Sequence, residues 1–120
     1  MNVVLDSSIL VKLVVAEPGS RKARATIKTF LKSGYSLYTV DIALAESLNA
    51  IWKHVKIHRD MEVEEAESTI QDLMKIYDAL GIIQTREVSQ KAAEIALKKN
   101  EPINDSFYIA AAGKFNAVLF

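Results

Sequence analysis

The stretch VVLDSSIL, residues 3–10, places an acid directly after a continuous apolar run and directly before a second run that is compatible with a helix. The residues before Asp6 are apolar and mostly β-branched, without alternation, which is typical of a strand buried on both faces in a parallel sheet. Ser7 or Ser8 can cap the helix that follows. The stretch therefore predicts a strand followed by a helix, with Asp6 at the junction.

The rest of the chain repeats this alternation of short apolar runs and longer helical patterns. Asp41 is the expected N-cap of the third helix, and Asn104 or Asp105 is expected to start the sixth. The predicted strands cover about 3–5, 35–40, 82–85 and 117–120, and the predicted helices about 8–15, 20–32, 41–57, 63–80, 88–99 and 105–113. The order predicts one α/β domain, residues 1–120, with a mostly parallel sheet of four or slightly more strands flanked by helices.

Composition excludes several classes of protein. The 120 residues are half hydrophobic, which suits a single domain with one core. The absence of cysteine excludes disulfides, thiolate zinc sites, iron–sulfur clusters and a cysteine nucleophile. Without a basic leader or an apolar run of about 20 residues, we expect a soluble, unprocessed cytoplasmic protein.

The charge is balanced overall but uneven along the chain. Lysine plus arginine equals aspartate plus glutamate at 15 each, so the whole chain has no basic signature of nucleic-acid binding. Pro18 to Val40 contains no acid, and four of its bases fall at helical spacing on one face: Arg21, Arg24, Lys28 and Lys32. This stripe is either a solvated helix face or a track for RNA phosphates.

Three acids occupy unusual positions. Glu46 lies in IALAESLNAIW, residues 42–52, a helix so apolar that we expect it to be largely buried, where an unpaired charge is costly. Asp105 stands at the entrance of the apolar helix NDSFYIAAAG, where a cap or a favourable dipole interaction also explains an acid. Asp6 has the alternative role of capping its own helix.

Sheet geometry links two of these acids. A helix that follows a parallel strand starts at the strand's carboxyl edge, so Asp6 and Glu46 should share that edge, where such sheets bind ligands. The pattern alone does not place Asp105. Carboxylates gathered there would repel unless a cation neutralised them, and oxygen ligands without histidine or cysteine favour Mg²⁺ or Mn²⁺. The acids therefore indicate phosphoryl or phosphodiester chemistry.

Three segments together resemble the PIN-domain family, and more narrowly the small toxin ribonucleases of VapBC-type toxin–antitoxin pairs. They are VVLDSSILVKL around Asp6, AESLNAIWK around Glu46 and INDSFYIAAAGKFNAVLF around Asp105, so the likeness covers nearly the whole chain. The resemblance implies a three-layer sandwich in which Asp6, Glu46 and Asp105 form the catalytic, metal-binding site, with Ser8 as a supporting hydroxyl.

The activity implied by the resemblance is Mg²⁺- or Mn²⁺-assisted hydrolysis of RNA phosphodiester bonds. The implied partners are a cognate antitoxin that covers the acids with a basic side chain, and a second copy of the chain in a homodimer. Family members usually carry a fourth acid or small polar residue a few positions beyond the last strand. This sequence ends on that strand at Phe120, so the resemblance extends to three of the four positions.

Other interpretations remain open. His54 and His58 have the spacing of a helical zinc pair, but they also suit a helix C-terminus without metal. A phosphoaspartyl phosphatase needs a second acid at position 8, which is Ser8 here, and a receiver domain needs paired acids at the end of the first strand, which are absent. The sequence disfavours both. The main alternative is a non-enzymatic PIN-like domain that binds a protein or RNA.

Overall fold

Four short strands are separated by pairs of helices, six helices in all, in a computed structural model that describes all 120 residues. The strands are β1 (Asn2–Leu5), β2 (Ser36–Val40), β3 (Gly81–Ile83) and β4 (Val118–Leu119). The helices are α1 (Ser7–Val14), α2 (Ser20–Lys32), α3 (Ile42–Lys56), α4 (Val63–Ala79), α5 (Thr85–Lys99) and α6 (Ile103–Lys114). None of these helices is both long and apolar enough to cross a membrane.

All strand pairs in the sheet are parallel, in the order β3-β2-β1-β4. The interior strand β1 pairs with β2 from Asn2 opposite Ser36 onward, and with β4 through Val3 opposite Val118. Residues 3–5 are fully buried, as expected for a strand covered on both faces. The predicted four-stranded parallel sheet flanked by helices is confirmed.

The helices divide into two packing groups. Helix α1 packs against α2, α3 and α4, whereas α5 packs against α6, and α6 contacts β1, β2 and β4. The core joins the buried strand residues to Leu10, Leu73 and Tyr108 from different helices. Since β1 is held by neighbours on both sides and by buried helices, its carboxyl end is a rigid place for a functional side chain.

Helix α3 is less buried than its composition predicts. Only Ala43, Ser47 and Ile51 are buried, and Trp52 is 51% exposed. The expectation of a largely buried helix is therefore wrong. The reason is that α3 packs on α1 and α4 but leaves its remaining face open to solvent.

The predicted starts of α3 and α6 hold unequally. Asp41 occupies the N-cap position of α3 as expected, but it has helical backbone angles and its side chain makes no cap hydrogen bond to α3. Its Oδ1 instead accepts from the backbone N–H of Thr85, at 3.1 Å, because β2 and β3 are neighbours and both end at this edge. Pro102 occupies the N-cap of α6, so neither Asn104 nor Asp105 is the cap.

Candidate active site

Asp6 lies at the carboxyl end of β1 and is the N-cap of α1. Its extended backbone lets Oδ1 accept from the backbone N–H of Ser8 at 2.8 Å, and its own N–H donates to the carbonyl of Phe120 at 2.8 Å. The capping role considered for Asp6 is therefore real. Both side-chain hydrogen bonds go to Oδ1, from Ser8 N–H and, at 3.4 Å, from the Ser7 hydroxyl, so Oδ2 has no protein donor.

Glu46 lies one turn into α3 and is half-buried. Its Oε1 accepts a hydrogen bond of 2.5 Å from the hydroxyl of Tyr108, a residue of α6 that is only 2% exposed. Burial raises the pKa of Tyr108 well above its ordinary value, and the bond to Glu46 raises it further. The phenol therefore remains protonated and acts as the donor.

The charges of Glu46 and Asp6 both raise the pKa of Tyr108, so Asp6 lies near enough for its charge to act on the phenol. Glu46 contacts the phenol directly, whereas the side-chain hydrogen bonds of Asp6 come from Ser7 and Ser8. Neither carboxylate has a lysine, arginine or histidine within ion-pair distance.

Asp105 is the third residue of α6, exposed, and free of any side-chain hydrogen bond or cap contact. Helix α6 leads directly into the parallel strand β4, so α6 starts at the carboxyl edge of the sheet. Tyr108 follows three residues later, on the same helical face. Asp105 therefore lies about one turn from the side chain that contacts Glu46.

In the isolated chain, no three histidine, aspartate or glutamate side chains are grouped closely enough to form a metal site. The donor chemistry nevertheless fits a hard divalent ion, because Mg²⁺ is usually bound by one or two carboxylates together with water and substrate phosphate. Asp6 and Glu46 each have one carboxylate oxygen that receives no protein donor, so their chemistry fits such an ion. Asp105 is a third acid, about one helical turn before Tyr108.

A groove of about 310 Å³ opens beside Glu46, between the start of α1 and the second half of α3. Its polar lining includes Ser7, Ser8, Glu46, Lys53, His54 and His58. Lys53 is exposed and forms no ion pair with any carboxylate. The groove thus joins the acidic edge to an unpaired positive charge.

A second acidic cluster, Glu17 and Asp60, is neutralised by bases of the chain, and its member Glu17 lines this groove. His54 contacts Asp60 through Nδ1 at 2.8 Å and Glu17 through Nε2 at 3.4 Å, and Lys12 also pairs with Glu17 at 3.4 Å. The pKa of His54 is raised above 6.5, mainly by the hydrogen bond to Asp60, although partial burial of the ring acts to lower it. Because both ring nitrogens face carboxylates, the structure gives His54 no free lone pair for zinc.

The basic stripe of α2 lies elsewhere. Its four residues Arg21, Arg24, Lys28 and Lys32 are all exposed and unpaired, and none lines the groove beside Glu46. Arg24 and Lys28 instead border a separate, mostly apolar groove of about 610 Å³ between α2, β2 and α4.

Sequence reasoning missed three side chains of this region: Ser7, Lys53 and Tyr108. Ser8 was expected to support Asp6 through its hydroxyl, but its observed contact is the backbone N–H, and the nearby hydroxyl is that of Ser7. Tyr108 follows Asp105 at three-residue spacing, but a tyrosine in an otherwise apolar helix has the pattern of a core aromatic, so the sequence does not signal its contact with Glu46. No signal marked Lys53.

Comparison with known proteins identifies relatives over the whole chain. The sequence pattern of the PIN domain matches residues 3–120. The chain is 29% identical over 119 residues to Ribonuclease VapC3 of Pyrobaculum aerophilum, covering 99% of this chain and 87% of that protein.

Solved structures show the same fold. VapBC2 from Rickettsia felis, crystallised with a DNA fragment from its promoter, matches with a TM-score of 0.66 and 21% identity, covering 99% of this chain and 86% of that one. VapC20 of Mycobacterium tuberculosis, a toxin that cleaves the sarcin-ricin loop, matches with a TM-score of 0.66 and 13% identity, covering 96% and 84%.

Proposed function

The chain belongs to the PIN domain family, and from that premise we propose that it is a metal-dependent endoribonuclease, the toxin of a toxin–antitoxin pair. A relative named as a ribonuclease, at 29% identity over nearly the whole chain, supports RNA as the substrate class. The proposed catalytic and metal-binding residues are Asp6, Glu46 and Asp105.

One observation carries the proposal: Glu46 contacts the buried phenol of Tyr108, the charge of Asp6 acts on the same phenol, and neither carboxylate has a base of the chain to neutralise it. Like charges at a partly desolvated edge raise the free energy of the ionised state. An external divalent cation held by Asp6 and Glu46 would remove this penalty, and the phosphate of an RNA substrate would supply further oxygen ligands.

Each of the three acids would have its own role in the reaction. Asp6 and Glu46 would hold Mg²⁺ or Mn²⁺, which when bound supplies positive charge at the scissile phosphate and acidifies a bound water. Asp105 is placed to be a further ligand or to orient the attacking water. Asp6 acts from a capped helix start, so little side-chain entropy is lost when it binds.

The RNA backbone would approach along the groove beside Glu46. Lys53 offers an unpaired ammonium there, and His58 lines the same wall. Phosphate contacts of this kind position RNA without reading its sequence. The α2 stripe of Arg21, Arg24, Lys28 and Lys32 is a second, more distant candidate for the backbone.

The proposed partners are a cognate antitoxin and a second copy of the chain. The structural relative VapBC2 is a toxin–antitoxin pair, which supports the first. An antitoxin that inserts a basic side chain between Asp6 and Glu46 would occupy the place of the metal ion. Light scattering of the purified chain tests the homodimer, which predicts twice the mass of 13.3 kDa.

The experiment that tests the activity is cleavage of labelled single-stranded RNAs by the purified chain with Mn²⁺ or Mg²⁺. We expect cleavage that stops with a chelator and falls at least about 100-fold in Asp6→Asn and Asp105→Asn. Asn is as good an N-cap as Asp, so Asp6→Asn should keep the helix start and isolate the loss of charge. Cleavage that persists in both variants would show a contaminating nuclease or a different site.

A folded wild-type chain that cuts no RNA in the panel would contradict the enzymatic proposal. Retained metal-independent RNA or antitoxin binding in that case would identify a non-enzymatic PIN-like binding domain.

A further inference from the structure

We propose that Tyr108 is a positioning residue for Asp6, Glu46 and Asp105, which we call the acidic centre. It fixes Glu46 with a hydrogen bond from an uncharged donor and so prepares the site for its cation. This inference rests on the proposed metal-dependent function and assigns a role to a residue outside the acidic triad. It stands on the contact between the phenol and Glu46, on the burial of Tyr108, and on the absence of any base at the site.

The phenol of Tyr108 supplies the hydrogen-bond donor that the half-buried Glu46 requires. A half-buried carboxylate needs a donor, because water reaches it incompletely. Tyr108 donates to Oε1 and leaves Oε2 without a protein donor. One oxygen is therefore immobilised while the other remains available as a ligand.

A neutral donor has a further advantage over a charged one. A lysine or arginine at this place would satisfy Glu46 but would also cancel the negative charge that attracts a divalent ion. Hydrogen bonds from a phenol to a carboxylate are short and strong without adding a charge. The centre thus stays ordered and still carries the charges of Asp6 and Glu46.

The same bond also relates two helices. Tyr108 belongs to α6, and its hydroxyl contacts Glu46 of α3, so the bond links these helices at the carboxyl edge. Asp105 lies one turn before Tyr108 on α6 and has no side-chain hydrogen bond of its own. Tyr108 thus orients Glu46 directly and belongs to the helical turn that follows Asp105.

The test is Tyr108→Phe, with Mn²⁺ binding measured by the electron paramagnetic resonance signal of the free ion, independently of any RNA. Loss of a residue that orients a metal ligand typically lowers metal affinity 10- to 100-fold, and we expect at least about a 10-fold rise in the Mn²⁺ dissociation constant. At saturating Mn²⁺, kcat for RNA should fall while KM changes less than about twofold. Tyr38→Phe, at a half-buried tyrosine of β2, is the matched control and should bind Mn²⁺ like the wild type.

The outcomes separate this inference from the proposed function. Equal Mn²⁺ affinity in the wild type and in a folded Tyr108→Phe variant overturns the role of Tyr108 alone. A wild-type chain that binds no Mn²⁺ at millimolar concentration overturns both. Replacement of Tyr108 by 4-aminophenylalanine restores a donor on the same ring; recovery of Mn²⁺ affinity supports the inference even if the Phe variant folds poorly, and no recovery in a folded protein contradicts it.

Discussion

Two pairs of carboxylates in this protein differ in their ion-pair partners, although one member of each pair, Glu46 or Glu17, lines the same groove. Glu17 and Asp60 share His54 between them, and Lys12 pairs with Glu17 as well. Asp6 and Glu46 have only hydroxyl and backbone donors around them. The first pair is neutralised inside the chain, whereas the second has no ion-pair partner within it. Ion-pair partners, rather than acidity itself, distinguish the two.

The largest expected difference between the pairs is in catalysis. Glu46→Gln removes a charge from the unpaired set and should lower metal-dependent RNA cleavage by at least about 100-fold, a loss of roughly 2.7 kcal/mol in transition-state stabilisation. Glu17→Gln is the matched change in the neutralised pair and should keep cleavage within about threefold. Single-turnover rates at saturating Mn²⁺ measure both. Similar losses in the two variants would remove the proposed distinction.

A smaller difference is expected in the response of stability to metal. At a Mn²⁺ concentration of about 100 times its dissociation constant, binding should stabilise the wild type by about 2.7 kcal/mol, and the Tm should rise by roughly 10 °C. Asp6→Asn should lose most of this rise but keep the metal-free Tm, because Asn preserves the cap of α1. Thermal denaturation with and without Mn²⁺ tests this. A variant that still gains the full rise would show that Asp6 does not bind the ion.

The smallest effect concerns the neutralised cluster and its dependence on pH. The pKa of His54 is raised above 6.5 in the folded chain, so its protonated ring stabilises the folded state fully below about pH 6.5. This stabilisation is lost as the pH rises through the pKa that His54 has in the folded chain. His54→Gln should therefore lower the Tm at pH 5.5 more than at pH 9. The difference should be less than about 1 kcal/mol, since Asp60 is 58% exposed and solvent screens the pair. A difference that grows with pH would contradict the assigned charge state.

The sequence predicted the fold well because its signals were local and repeated. Buried strands without alternation, helices with capping residues and Gly or Pro between them suffice to predict an alternating α/β order. The expected side-chain cap of α3 failed because the carboxylate of Asp41 has a partner distant in sequence. Asp41 contacts Thr85 across the edge of the sheet, and nothing in the residues near Asp41 signals that contact.

The candidate site was predictable in its acids and unpredictable in its support. Asp6 and Glu46 stood out because each interrupts an apolar context, and topology placed both at one edge. Tyr108 looked like one more core aromatic, since its hydroxyl is explained only by the carboxylate of another helix. Likewise, α3 has an apolar composition, but its exposure is decided by which neighbours the chain packs against it.

The pairing of β1 has a consequence for the newly made chain. β1 leaves the ribosome first, but its partner β4 is encoded at the opposite end of the sequence, with Val3 opposite Val118 and the N–H of Asp6 bonded to the carbonyl of Phe120. Pairing of strands so distant in sequence forms late in folding, because the entropic cost of closing a long loop must be met before the contacts stabilise the chain. Tyr108, too, is synthesised long after Glu46. During translation, therefore, the contacts of Asp6 with Phe120 and of Glu46 with Tyr108 cannot form until α6 and β4 have emerged.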